Sequence, residues 1–578
     1  MAAPMFIRKR PIEGTSHFKI QICESLRTGS KVVQKTIKQV GTARDEYEMD
    51  VLMRAAELIM HGLETSRRGG ALFNDFECLE ERKVTDKPTK EKSKVHIEDL
   101  KEVERTIEGP VEIFGHAFEA MKLNGTVKIE KEVLLKNLIA ARITDPSSKR
   151  RTQKLLQKHA GFHCSLDSIY RLLTELGACE DIINKAVFNS AKTLFDSKID
   201  LMFFDVTTLY YESIEQDELR DFGYSKDCKF GQVQVTLALA AQKDGFPIGY
   251  KLFPGNTAEV ATLISCVEEW RKNLAIDDVI FVADRGMFSA KNLCAIADAG
   301  FKFVIGCPLR KLGKQWESHI FNESNFRLDA LDSMDELFWN ARFQHSVSVS
   351  GKPDSNGVKQ TSTVNGNLVV CYSSKRAKKD SRDREVMIEK ARKKYEKKSE
   401  KIITGSKIKD LIGNKGYTKY LKVTDLDGAK VSIDEKKVEQ DAKWDGLSGI
   451  FTNAEMSNLE CLARYRGLWQ IEECFRISKS HLKIRPIFHF SPERIRGHIA
   501  LCFMSLAVLK YTQLCLLNEG VRITIQSLTD ELMDIGSTLM EDKFQKLRFR
   551  VPTPLSDLGQ TIYKSFGLKR SATARPVQ

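Results

Sequence analysis

The amino-acid sequence predicts an α/β protein in which a mixed sheet is packed against helices, and three observations point there. Residues 200–308 alternate between apolar β-rich runs and helical runs, in the order strand, strand, strand, helix, strand, helix, strand, and such alternation builds a layered α/β architecture. Helical periodicity dominates on both sides, over 110–198 and again from Leu459. Of the 578 residues, 42% are apolar and 29% charged, a balance that supplies a buried core and excludes disorder over the whole length. At roughly 150 residues per domain, this length corresponds to about three or four domains.

In chain order, FKIQICESLR alternates, Thr28-Gly29-Ser30 supplies a turn, and KVVQKTIKQVG returns as a second strand, which is a hairpin pattern. Apolar residues from Glu46 to Leu63 fall at helical spacing, so residues 1–79 read as a β hairpin and helix. The Lys/Glu-rich stretch after them has no periodicity, and 80–109 reads as a linker. Residues 110–198 are helical. There Asp145-Pro146-Ser147-Ser148 starts a helix that opens on Lys149, Arg150 and Arg151. The segment from Ser147 to Leu176 has room for a helix-turn-helix turning these residues and Lys154 toward phosphates, and ordinary three-helix packing has the same spacing.

KIDLMFFDVTTLYYE and FGQVQVTLALAAQ read as apolar strands, and a Gly245-Phe246-Pro247 turn leads into IGYKLFPG. Asn256 to Glu259 resembles a capped helix start, and the helix runs to about Asn273. DDVIFVADRG is a buried strand ending at Asp284, SAKNLCAIADAG a helix closed by Gly300, and FKFVIGCP the next strand. Mixed, weaker strands fill 309–458, an insertion between the two parts of a core formed by 199–308 and 459–520. Within it, residues 373–401 carry 13 basic and 6 acidic residues, a net +7 out of +13 for the chain. A solvated helix braced by i,i+4 ion pairs and a phosphate-tracking helix using Lys378 and Lys379 fit that segment equally well. The helix from Arg494 to Leu517 is apolar on most faces and therefore expected to be buried, and 521–578 reads as a helical tail.

Composition narrows the function classes. The net charge of +13 and pI near 9.0 suit a polyanionic partner. Thirteen cysteines without a C-x-x-C pair fit reduced thiols better than a disulfide framework or a structural zinc site, and so a cytoplasmic protein. MAAPMFIRKRPIEGTSHF lacks the apolar segment of a signal peptide, and the greasy run Ile499–Leu509 is shorter than the ~20 residues that cross a bilayer; no membrane association is expected. Ile412-Gly413-Asn414-Lys415-Gly416 lacks the Gly-Lys-Ser/Thr of a phosphate loop, so no nucleotide cofactor is expected.

Two acids close apolar runs, Asp205 after LMFF and Asp284 after VIFVA. Ligands and reactive groups gather at strand ends in open α/β sheets, and a carboxylate placed there needs a cation, a donor or water. Taken singly, each is more often a loop start or a cap. In YRGLWQIEECFRISKSHLKIRP, helical spacing places Leu468, Glu472, Phe475, Lys479 and Leu482 on one face. Glu472 is then a carboxylate on an otherwise apolar face, and Glu473 its solvent-facing neighbour. A buried Glu–Lys or Glu–Arg pair would explain the same pattern.

With these stretches assembled, the chain resembles bacterial insertion-sequence transposases of the DDE type, in the group with a Tyr-Arg-Glu-Lys signature. The matching segments are FFDVTTLYYES, GQVQV, PIGYKLFPGNTAE, VADRGMFS and YRGLWQIEECFRISKSHLKIRPIFH, with SSKRAKKDSRDRE, WDGLSGIFTN and the N-terminal FIRKR…KQVG hairpin. The resemblance implies a ribonuclease-H-like core with a β-rich insertion and the catalytic, metal-binding acids Asp205, Asp284 and Glu472. The second interval, from Asp284 to Glu472, is much the longer of the two and leaves room for that insertion. On the signature, Tyr465, Glu472 and Lys479 take their places, while Leu468 stands where Arg is usual; Arg464, Arg466 or Arg476 would have to supply the guanidinium. In relatives these residues grip phosphate near the cleaved end, and Trp469 corresponds to a residue that would stack on a displaced base.

The resemblance further implies two Mg²⁺ or Mn²⁺ ions per site, cleavage at transposon ends, and transfer of the freed 3′-OH into target DNA. The partners implied are terminal inverted repeats and target duplex, with a homodimer on DNA and a nucleoid-associated location. Two rivals remain open: a metal-dependent nuclease that cuts without joining, and a catalytically inactive DNA-binding descendant.

Overall fold

Alternation in the first forty residues builds a three-stranded sheet, one strand more than the expected hairpin. The structure is a computed structural model describing residues 5–12, 17–28, 31–43, 46–67, 97–195, 199–211, 215–223, 231–274, 279–331, 336–353, 359–399, 416–425, 430–544 and 546–577. It divides into two units, Met1–Lys94 and Val95–Gln578.

In the first unit, β1 (Met5–Pro11), β2 (Phe18–Thr28) and β3 (Lys31–Ala43) pair antiparallel in that order, followed by α1 (Glu46–Arg67). The period of two turns Ile20 and Ile22 to one face. There they are fully buried with Ala56 of α1, and Met5, Ile7, Val40, Leu52 and Met53 pack around them.

The second unit opens with β4 (Leu100–Ile107). That strand replaces part of the expected 80–109 linker, whose residues 80–96 lie outside the described ones. Five helices follow, α2 (Gly109–Ala120), α3 (Ile129–Thr144), α4 (Lys149–His159), α5 (Leu166–Leu176) and α6 (Glu180–Phe195). Ser148 and Ser165 cap α4 and α5 by accepting the backbone N–H of Arg151 and Ser168 at 3.3 and 3.0 Å.

Next come β5 (Leu201–Tyr210), β6 (Gln234–Ala241), β7 (Pro247–Pro254), α7 (Glu259–Leu274), β8 (Ile280–Ala283), α8 (Ala290–Asp298) and β9 (Lys302–Cys307). In the sheet they stand in the order β9-β8-β5-β6-β7. β5, β6 and β7 form an antiparallel meander, while β8 and β9 run parallel to β5. This is the ribonuclease-H-like arrangement.

The insertion contains α9 (Glu317–Ile320), β10 (Arg327–Leu331), β11 (Glu336–Pro353), β12 (Lys359–Tyr372), α10 (Ser374–Ser399), β13 (Leu421–Asp425), β14 (Lys430–Ile433), α11 (Glu435–Ala442) and β15 (Leu447–Thr452). Its main strands do not make a sheet of their own. β15 pairs with β9, and β12, β11 and β10 continue outward, giving nine strands in one sheet. Of the Ile412–Gly416 turn only Gly416 is among the described residues.

The chain returns through α12 (Asn458–Arg466), α13 (Trp469–Arg476) and α14 (Pro492–Asn518). It then forms α15 (Ile525–Asp534), β16 (Gly536–Asp542), β17 (Arg548–Pro552), α16 (Asp557–Ser565) and β18 (Arg575–Val577). The expected helical tail is thus half strand: β18, β17 and β16 join β4 in a four-stranded sheet. These partners come from opposite ends of the second unit, and only backbone pairing reveals them. α14 has 27 residues and is apolar enough to cross a membrane, so the short Ile499–Leu509 run understated it; 78% of its most apolar window is buried within the protein.

Where α4 meets α14, a polar cluster is buried. His498 donates from Nε2 to the Ile484 carbonyl at 3.1 Å, leaving Nδ1 to accept from Lys149 Nζ at 3.4 Å. Burial and the nearby Lys149 and Arg142 charges hold His498 well below its usual range, and His489 falls to about 4 for the same reasons. Both are neutral in the fold, whereas the unfolded chain protonates them below about pH 6.5, so stability is lost as pH falls through that value. Buried Glu180, raised to about 7 by burial and Glu269, acts in the opposite sense between pH 7 and 4.5. At about 1.4 kcal/mol per pH unit per group, two histidines outweigh one glutamate. We therefore expect unfolding stability to drop by about 1.4 kcal/mol per unit from pH 6.5 to 5, measured by urea unfolding; a flat profile would contradict the buried neutral pair.

Candidate active site

The register of the parallel pair decides the geometry. Phe204 of β5 stands opposite Ala283, the last residue of β8, so Asp205 in β5 and Asp284 just beyond β8 each follow directly on that pair. Alternation along β5 sets which face Asp205 uses. Phe204 meets the Trp270 ring of α7 edge-on at 6.1 Å, whereas Phe203 lies against Gly467 at the junction of α12 and α13. Asp205, two residues from Phe203, therefore faces the α12–α13 side. It is half-buried, and one oxygen accepts the Val206 N–H at 2.7 Å.

Asp284 is exposed at the end of β8, and its Oδ1 accepts the Tyr465 hydroxyl of α12 at 3.2 Å. Burial and the Asp284 charge push the Tyr465 phenol up, so it stays a donor. Room for that hydroxyl comes from Gly306 on β9, where any Cβ would overlap the phenolic oxygen. Sequence reading missed Gly306, although a glycine inside an apolar strand marks close approach by another group. Gly306→Ala should displace Tyr465 and lower DNA-processing activity about 10- to 100-fold, as loss of a group that orients a ligand does. Tyr465→Phe should do the same; rates with and without excess divalent ion check both.

The helix expected to run unbroken to Leu482 is interrupted at Gly467–Leu468, and after α13 the residues Ile477–His481 form a π turn. Ile471, Cys474 and Phe475 are buried against β5 and β6, and the Cys474 thiol reaches the Gly245 carbonyl at 3.2 Å. Glu472 is exposed, while Glu473 is half-buried and takes two bonds from Arg476 at 2.5 and 2.6 Å. This reverses the expected roles of the two glutamates on the helix surface. Leu468 and Leu482 are buried, and Lys479 lies half-buried in the π turn, a distortion often found at functional sites.

Asp205, Asp284 and Tyr465 are brought together, and Glu472 sits on the adjoining helix. Among the described residues, however, no three of His, Cys, Asp and Glu are grouped to hold a metal ion. Asp205 and Asp284 offer hard oxygen donors, which suit Mg²⁺ or Mn²⁺.

The basic candidates divide. Trp469 is 57% exposed at the start of α13. Arg464 pairs with Glu460 at 2.8 Å, and the Arg466 guanidinium lies 4.0 Å from the Phe338 ring centroid. Arg476 pairs with Glu473. Lys149 must be corrected: it is 5% exposed and burial lowers its pKa to about 7, so it does not face a phosphate. Arg150 and Lys154 are exposed on α4, and exposed Arg151 pairs with Asp145 at 3.3 Å. Lys378 and Lys379 are exposed on α10, whose inner side is held by Arg384 to Asp445 and by Asp380 accepting the Gly446 N–H.

The family model described as a transposase DDE domain matches residues 196–508, more than half of the chain and the whole span from Asp205 to Glu472. No curated protein matches in sequence. Among solved structures, the chain is similar to a piggyBac transposase in a synaptic complex with hairpin DNA. That match has 10% identity and a TM-score of 0.35, and covers 74% of this chain and 78% of that one.

Proposed function

The chain belongs to the transposase DDE domain family, and on that premise we propose that it cuts DNA at transposon ends and transfers the freed 3′-OH into target DNA. The observation that carries this reading is that Asp205 and Asp284 each directly follow the paired residues Phe204 and Ala283 of parallel strands, with Asp284 bonded to Tyr465 of α12. Asp205 and Asp284 would hold divalent ions, with Glu472 as the third carboxylate of the family pattern. Two bound Mg²⁺ or Mn²⁺ ions would supply activation of an attacking hydroxyl and neutralisation of the leaving oxygen. Tyr465 holds Asp284 by hydrogen bonding. Trp469, Arg476 and Lys479, near the carboxylates in sequence, and Arg150, Arg151, Lys378 and Lys379 on outer helices would engage DNA backbone and bases. A homodimer would bring two ends together.

The test incubates the protein with a pre-cut duplex from the DNA flanking its own coding sequence, supercoiled plasmid, and Mg²⁺ or Mn²⁺. Joined product supports a transposase. Nicking without joining supports the nuclease alternative, and binding with neither supports a non-catalytic descendant. Glu472→Gln is expected to bind the duplex while losing cutting and joining; retained cutting would remove Glu472 from the set.

A further inference from the structure

The N-terminal sheet has a second face, polar apart from Phe6, Val32 and the fully buried Cys23. Ile20 and Ile22 turn toward α1 with Met5, Ile7 and Val40, so alternation and the observed register send Arg8, Arg10, Lys19, Gln21, Gln34 and Thr36 to the other side. Two register shifts on β3 preserve this, setting Gln39 opposite Gln21 and Thr36 opposite Cys23. Arg8 lies across all three strands. Its guanidinium donates to Gln21 at 2.8 Å, to Thr36 at 3.2 Å and to Gln34 at 3.4 Å. All three acceptors are neutral, so the charge of Arg8 is oriented without being cancelled. Among the described residues, no position of this face carries a carboxylate.

We propose that this face enters the major groove of double-stranded DNA and reads base edges, making the N-terminal unit the sequence-reading element of the protein. The inference rests on the DNA-processing role proposed above and names where its specificity lies. Charge complementarity commits the face to a polyanion, because Arg8, Arg10, Lys19 and Arg27 lie on it by register while its described positions hold no carboxylate. The residue types point to bases as well as phosphate: Arg pairs in bidentate fashion with guanine, and Gln with adenine. Size agrees too. Two inter-strand spacings make a face about 10 Å across, against a major groove about 12 Å wide. Arg8 and Gln21 are already fixed by hydrogen bonds within the sheet, so little side-chain freedom remains to be lost on binding.

The test uses the full chain. A sequence is selected from a random 20-base-pair duplex pool, and its affinity is compared with that of a scrambled duplex in EDTA. The expected result is a preference that falls at least about tenfold in Arg8→Ala and in Gln34→Ala/Gln39→Ala. Both glutamines in the second variant are exposed, so it keeps the fold if Arg8→Ala does not. Joining of pre-cut ends on plasmid is measured in parallel. A preference that collapses while no variant or wild type joins DNA supports the reading face and defeats only the catalytic proposal. The inference is overturned by a preference unchanged in both variants, by one lost only in Arg150→Ala/Arg151→Ala, by tighter binding to duplex RNA, or by a wild type that enriches no sequence.

Discussion

Asp205→Asn is expected to lower metal-dependent cutting at least about 10³-fold, with binding to the same duplex retained. The substitution keeps the side-chain volume and the bond to the Val206 N–H within reach, but removes the negative charge that a divalent ion requires. Lewis-acid stabilisation amounts to several kcal/mol, and each step of about 1.4 kcal/mol in the barrier is tenfold in rate. Asp284→Asn should match it, because both carboxylates directly follow the Phe204–Ala283 pair of the parallel strands. Cleavage mapped at nucleotide resolution, with binding measured separately, checks both. Full metal-dependent cutting by either variant would exclude that carboxylate from the chemistry.

The second large effect is on stability. Gly497→Ala is expected to destabilise the second unit by about 3 kcal/mol, because a Cβ at this position would overlap the Leu173 carbonyl of α5. That neighbour is backbone, so neither helix can yield by changing a rotamer. Gly177, just after α5, meets the Glu493 carbonyl in the same way, and Ile169, Leu172, Leu173 and Leu176 are all fully buried. Gly125→Ala is the control: nothing lies near its Cβ, and a change within about 0.5 kcal/mol is expected. Urea unfolding of the three proteins decides the matter. A Gly497→Ala protein as stable as the control would mean α5 and α14 are not locked together.

The same contact explains a limit of sequence reading. The break at Asp145–Ser148 correctly marks the start of α4, which Ser148 caps. It could not show that Lys149 turns inward, because a basic triplet at a helix start has the same pattern whichever member the neighbouring helix covers. α14, which lies far along the chain, makes that choice by placing His498 beside the ammonium. The glutamates of α13 illustrate the same point: helical spacing sets Glu472 between buried Leu468 and Phe475, yet the packing around the helix leaves it exposed. Phe203 beneath Gly467 and the i+5 bond from Leu482 to Ile477 belong to packing, not to local propensity.

Residue order alone was enough to establish the alternating elements of the α/β layer, Asp205 and Asp284 at the close of apolar runs, and a basic surplus suited to a polyanion. Hydrophobic periodicity and residue chemistry are local properties, so they can be read along the chain. Folding had to show that the insertion prolongs the central sheet, that Tyr465 holds Asp284 over Gly306, that the C-terminal strands pair with β4, and that Glu472 rather than Glu473 is exposed. Each depends on which distant segment fills the space beside a given side chain, and close packing settles that only when the whole chain is folded.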